Sequence, residues 1–327
     1  MTSTNLSDRT APTILTPGPP FCDPAADLIL RSSDDIEFHV HRVVLSLLSP
    51  VFQDMFTFPQ PASEPEIPEV GMSESGDALD RALRFCYPGA EPSVETLAQL
   101  CEILDILLHK YDMQSIVPVA KLYLTQHLDT NPLGSFAVAA RYNWDELASV
   151  AAKKCLGLPL RAPNFPTVDE LRYVSGKTYD SLLQYHNRCA ETARLAIGFH
   201  WLPPLFDSFL KAVTTECQCK QYHVEFSMLK LIVQRRNDHR VWNWIRTDGR
   251  VPVWLGEYLH KLQDSVFATP LCALDEDELL AEVFMLGFES KCSRCQTAAS
   301  LLPIYVTTQL WPKIKEDVDR IKFALEF

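Results

Sequence analysis

Apolar positions follow two different rhythms between residues 27 and 56. Leu28, Ile29 and Leu30 form a short continuous apolar run, the pattern of a strand covered on both faces. Residues 32–35 are a polar turn cluster. Ile36, Phe38 and Val40 then alternate with Glu37, His39 and His41, a period of two. After His41 the period lengthens. Val43, Val44, Leu47 and Leu48 share one helical face. Ser49 and Pro50 supply an N-cap residue and a first-turn proline. Val51, Phe52, Met55 and Phe56 then repeat the apolar spacing. The pattern predicts a hairpin feeding two short helices.

The same reading carries on to residue 128. Residues 75–87 read as a helix with Ala78, Leu79, Ala82, Leu83 and Cys86 on one face and Pro88-Gly89 as its stop. Ser93 is the predicted cap of the next helix, whose stripe is Val94, Leu97, Ala98, Cys101, Leu104 and Leu108. Another helix is expected over 112–128, entered through Ile116-Val117-Pro118.

These motifs, in this order, resemble the BTB/POZ domain. The resemblance rests on Asp27-Leu-Ile-Leu30, Phe38-x-Val40-His41-Arg42-x-x-Leu45, Ser49-Pro50-x-Phe52-x-x-Met55-Phe56, Ile67-Pro-Glu-Val70, Leu83-x-Phe85-Cys86-Tyr87-Pro88-Gly89 and Lys110-Tyr111-Asp112-Met113. It covers residues 22–128. It implies an α/β domain that binds other proteins without catalysing a reaction. Members of this family serve as substrate adaptors of cullin-type ubiquitin ligases or as scaffolds and corepressors in transcriptional regulation. Cullin-binding members carry a hydrophobic-x-Glu motif after the second helix. The nearest match here is Ala62-Ser63-Glu64. By resemblance, partner-binding residues are expected at Phe56, Phe58 and Glu64. Long-form members also carry an extra N-terminal helix that two subunits exchange. Here Pro12, Pro17, Pro19, Pro20 and Pro24 oppose a helix, so a monomer or weak homodimer is expected.

The remainder resembles the helical C-terminal extension of fungal BTB proteins. Asn131-Pro132 starts it as cap and first-turn proline. Phe136, Ala137 and Ala140, then Leu147, Val150, Ala151 and Cys155, predict two short helices. Prolines between 159 and 166 mark a linker, and Thr167-Val-Asp-Glu170 fits a capping box. Leu182, Leu183, His186, Cys189, Ala190, Ala193 and Ile197 define one long amphipathic helix. Helices are predicted near 253–266, 275–286 and 312–325, the last with Ile314, Val318, Ile321 and Leu325 as its stripe. The expected organisation is a disordered lead over 1–21, a BTB/POZ domain over 22–128, a helical extension over 129–158 and a helical C-terminal domain over 159–327. The fold class is α+β, with the α/β domain first and a mostly α-helical region after it.

Composition narrows the function classes. A net charge of −12 and a pI near 5.2 argue against a nucleic-acid surface. The one basic cluster, Arg235-Arg236 to Arg240, is broken by Asp238 and reads as a solvated loop. The N-terminus lacks a basic-then-apolar leader, and no stretch of about 18 apolar residues predicts a membrane span. The expected location is cytoplasmic, nuclear or both, so the ten cysteines are read as reduced thiols or metal ligands.

Few constellations could carry chemistry. Ser175-Gly-Lys-Thr178 ends like a phosphate-binding loop, but Leu171 stands where that loop needs glycine. His39 and His41 share a strand face; the reading favoured for His41 is hydrogen bonding within the domain. His186 on an apolar helix face reads as a core histidine. No nucleophile–base or His-Glu-x-x-His pattern stands out, and no enzymatic activity is expected. Two close cysteine pairs differ from the cysteines on apolar stripes: Cys217-x-Cys219 and Cys292-x-x-Cys295. Four thiolates are the complete ligand set of a structural zinc site, and His223 is a substitute fourth ligand. Ordinary reduced cysteines and a redox pair are the other readings. No cofactor besides zinc is indicated.

Overall fold

The computed structural model describes residues 17–58, 67–160, 166–197, 223–225, 250–271, 281, 285 and 292–325. It divides into two compact units, Met1–Val138 and Ala139–Phe327. Residues 1–16 of the expected lead, the loop carrying Glu64, and Cys217 and Cys219 all lie outside the described residues.

In the first unit, β1 (Leu28–Arg31) is the middle strand of a three-stranded sheet. It pairs antiparallel with β2 (Glu37–Val40) and parallel with β3 (Glu69–Gly71). Its central place explains the unbroken apolar run in its sequence. The turn between β1 and β2 places Asp35 in the left-handed region (φ 62°), which a short polar side chain tolerates. The Ser32 hydroxyl donates to Asp34 and accepts from the Ile36 amide. Across the outer face, Arg31 on β1 bridges Glu37 on β2 and Glu69 on β3. The guanidinium holds the Glu69 carboxyl below its usual range.

Two helices follow β2: α1 (Arg42–Leu48) and α2 (Pro50–Thr57). Ser49 is the N-cap of α2, accepting from the Phe52 amide at 3.1 Å, with Pro50 behind it. Then come α3 (Gly76–Arg84), capped by Ser75, and α4 (Leu97–Leu104). The cap of α4 is Thr96 and not Ser93 as its sequence predicts. Thr96 and Gln99 form a complete capping box, which satisfies two orphan amide donors where Ser93 would satisfy one. The expected α4 stripe shifts accordingly: Leu97, Leu100, Cys101 and Leu104 are buried, and Ala98 is exposed. A π-helical segment, Asp105–Lys110, ends α4, and α5 (Val117–Gln126) follows a short 3₁₀ turn. In α6 (Pro132–Arg141), capped by Asn131, Gly134 is required by packing. A Cβ there would stand 2.7 Å from Leu97 Cδ1.

The lead is ordered where it is described. Phe21 is fully buried, edge-on to Phe38 and Tyr87 with ring centroids 5.5 and 5.4 Å away. The His39 amide donates to its carbonyl, and Cys22 forms a parallel bridge to His39. A single buried aromatic thus fastens the chain along the outer edge of β2.

In the second unit, α7 (Asp145–Lys154) buries Ala148, Ala151 and Ala152 while Val150 is exposed. Of the predicted stripe, Ala151 and Cys155 are buried, Leu147 is half-buried and Val150 faces solvent. Asp169–Tyr173 is a 3₁₀ turn without a side-chain cap bond at Val168, so the capping box read at Thr167 does not start the long helix. That helix, α8 (Gly176–Ala196), begins at Ser175, whose hydroxyl accepts from the Thr178 amide. The residues that imitate a phosphate loop are therefore a helix cap. His186 is buried on α8 with Nε2 3.0 Å from the Leu158 carbonyl. A short antiparallel pair, β4 (His223–Glu225) with β5 (Arg250–Pro252), leads into α9 (Val253–Ala268). The last helices are α10 (Ser293–Tyr305) and α11 (Trp311–Asp319). Pro303 sits inside α10, and a π-helical segment follows at Val306–Leu310, as expected where a backbone donor is missing. Helix α11 stops at Asp319, short of the predicted end at 325. The tail then lays Phe323 edge-on to Tyr185 of α8, 5.4 Å between centroids. Both α9 and α11 pack on α8.

Candidate protein-interaction site

The α1–α2 pair is held from behind. Phe52 is buried and stacks on Tyr111, centroids 4.6 Å apart. The Ser49 hydroxyl donates to the Tyr111 carbonyl at 2.5 Å. The Tyr111 phenol, its pKa raised by burial, donates to the Met72 sulfur just after β3. Lys110 beside it pairs with Glu74 at 2.6 Å and donates to Ser73. At the front, the Arg42 amide is bonded to Asp27, and the Arg42 guanidinium lies over the Phe56 ring at 4.6 Å. These contacts fix both helices on the sheet unit.

What they leave uncovered is apolar. The spacing of Val43, Val44, Leu47 and Leu48 does make a helical face, but Leu45 is the one α1 side chain that is buried. Val43 is 62% and Leu47 81% exposed, and Val51 on α2 is also exposed. Of the predicted partner-binding residues, Phe58 stands 68% exposed at the C-cap of α2. Phe56 is half-buried between Arg42 and Phe52, whose ring lies 5.8 Å away, so it is a support for the helix end. Glu64 lies outside the described residues. Val43, Leu47 and Val51 were legible as apolar but not as a surface, because periodicity identifies a face without saying what covers it.

Of the two histidines read on one strand face, His39 lies on β2 and His41, just after it, is the N-cap of α1. The His41 amide donates to the Tyr87 phenol at 2.7 Å, and His41 Nδ1 lies 3.5 Å from that oxygen. On the other side, His41 Nε2 is 3.5 Å from Asp23 of the lead. No group of three or more His, Cys, Asp or Glu side chains able to hold a metal occurs among the described residues. Cys292 and Cys295 are both described and buried at the start of α10.

A small sheet flanked by helices, with an apolar helix pair turned outward, is a frame for binding another protein. Residues 22–128 match the BTB/POZ domain family, and the chain therefore carries a BTB/POZ domain, a protein–protein interaction module. No curated protein matches the chain. Among the described residues, no helix is long and apolar enough to cross a membrane.

Proposed function

We propose that this protein is a non-enzymatic adaptor whose BTB/POZ domain docks a cullin-type scaffold of a ubiquitin ligase, leaving the helical C-terminal region to hold a second protein. The observation that carries this reading is Phe58, a large aromatic side chain standing in solvent at the end of α2, where the resemblance expects the scaffold to bind. Exposed aromatics that fill a partner's pocket dominate the energetics of protein interfaces. The test is co-purification of cullins with the full chain against Phe58→Ala. The variant is expected to weaken recovery at least tenfold, since an anchor of this kind contributes about 2 kcal/mol or more. Unchanged recovery would sink this surface, and no recovery with either chain would sink the cullin reading.

A second reading is favoured by Val43, Leu47 and Val51. In it the α1–α2 face closes a homodimer or seats a transcriptional scaffold. Three exposed side chains cover far less than the roughly 800 Å² per partner of a stable interface, so the dimer formed through them alone is weak.

A further inference from the structure

We propose that β3 is the strand through which two copies of this chain pair edge to edge, antiparallel about a two-fold axis at Val70. The pairing uses backbone groups of the sheet and depends on neither the α1–α2 face nor the adaptor reading.

The two edges of the sheet end differently. Beyond β2 the lead closes the edge: the Phe21 carbonyl accepts from the His39 amide, and Cys22 bridges to His39. The other outer strand is β3. In its parallel ladder with β1, the Ile29 amide donates to the Pro68 carbonyl at 2.9 Å, and the Met72 amide donates to the Arg31 carbonyl at 2.7 Å. Backbone groups alternate sides along a strand, so Pro68, Val70 and Met72 turn theirs toward β1. The amides and carbonyls of Glu69 and Gly71 therefore point away from the sheet. No hydrogen bond among the described residues takes these groups, and both residues are exposed.

An edge open in this way is a template for another strand, and proteins commonly blunt it with charge or proline. Neither device blocks β3. Its one charged side chain, Glu69, is held by Arg31, Nε to Oε1 at 2.6 Å and Nη2 to Oε2 at 2.8 Å. Pro68 lacks an amide only where an amide would face β1. Gly71 has no side chain, and a Cβ placed there would meet nothing within 4 Å.

Register favours a second copy as the occupant. In an antiparallel pair, residues that exchange both hydrogen bonds stand directly opposite each other. A two-fold axis at Val70 sets Glu69 of each copy against Gly71 of the other, and every outward amide and carbonyl of β3 then finds its match. Like charges directly opposite each other destabilise a sheet. Here each carboxylate faces a residue without a side chain, which matters in a chain of net charge −12. Val70, half-buried beside Leu30, meets its own counterpart on the axis. The result is an isologous, closed contact. A strand of three residues makes a short ladder, so the dimer is weak and reversible.

The experiment follows the full chain from micromolar concentration upward by sedimentation equilibrium and by amide hydrogen exchange resolved to single residues. A monomer–dimer equilibrium is expected. The Glu69 and Gly71 amides gain protection as the dimer forms, whereas the Val70 amide, bonded within the sheet, is protected throughout. Gly71→Pro deletes an outward amide from each copy and spares the β1–β3 ladder, since proline is tolerated where the amide faces off the sheet. It is expected to weaken the dimer about tenfold or more. Leu47→Lys, which removes any share of the α1–α2 face, is expected to leave the concentration-dependent protection of Glu69 and Gly71 in place. Should Gly71→Pro fail to fold, exchange in the unaltered chain decides alone. A chain that stays monomeric at every concentration, a dimer of unchanged strength in folded Gly71→Pro, or Glu69 and Gly71 amides that exchange as fast in the dimer as in the monomer would each overturn the pairing.

Discussion

The Ser49 hydroxyl joins two elements far apart in the chain: it accepts from the Phe52 amide to cap α2 and donates to the buried carbonyl of Tyr111. One small side chain thus starts the second helix and ties it to the end of the π-helical segment. Ser49→Ala removes the cap and leaves a carbonyl short of a donor. A cost of roughly 1–3 kcal/mol is expected, read as faster amide hydrogen exchange over residues 42–57. Exchange suits this unit because all six tryptophans lie beyond Val138, so tryptophan fluorescence reports on the other unit. Unaltered protection would show that neither bond matters.

Phe21 makes the lead part of the domain. Phe21→Ala removes a fully buried ring from between Phe38 and Tyr87 and is expected to cost about 3–5 kcal/mol. Deleting residues 1–16 is expected to leave exchange protection in β2 intact, whereas deletion through Ala26 loses it. Equal protection in the two truncations would contradict the role given to this aromatic.

Leu47→Lys should leave stability within about 0.5 kcal/mol, the usual range of surface substitutions, because its side chain packs against nothing that holds the fold. It should lower any self-association seen by light scattering at micromolar concentration. A large loss of stability would mean that this residue is core after all.

Acid should loosen the first unit. The Asp34 carboxyl is held below its usual value by the Ser32 hydroxyl and the Gly76 amide, and Glu69 is held down by Arg31. A carboxyl whose folded pKa is depressed contributes stability in full above its unfolded value, near 4, and loses it as pH falls through the folded one. Exchange protection of the β1–β3 sheet, corrected for intrinsic rates, is therefore expected to be level from pH 7 to about 5 and to fall below about 4. Asp34→Asn should flatten part of that fall. A loss beginning near neutral pH would point to a different group.

The α+β class, the two rhythms between residues 27 and 56, the Ser49 and Asn131 caps and the buried role of His186 could all be read from local pattern. Each depends on neighbours within a few residues, where propensity and hydrogen-bond geometry are set by the chain itself. The cap at Thr96, the start of α8 at Ser175 and the end of α11 at Asp319 went otherwise. At α4 two polar residues competed for one helix start, and the one with the fuller set of satisfied donors won. Tertiary packing decided the rest. Apolar spacing could say that Val43 and Leu47 share a face, but only the sheet and Tyr111 behind the helix pair determine that Leu45 and Phe52 turn inward and leave that face to solvent. Likewise a proline-rich lead reads as extended, and nothing local reveals that Phe21 has a socket, because Phe38 and Tyr87 that build it lie 17 and 66 residues away. Burial is a property of what the folded chain brings together, and sequence spacing carries no record of it.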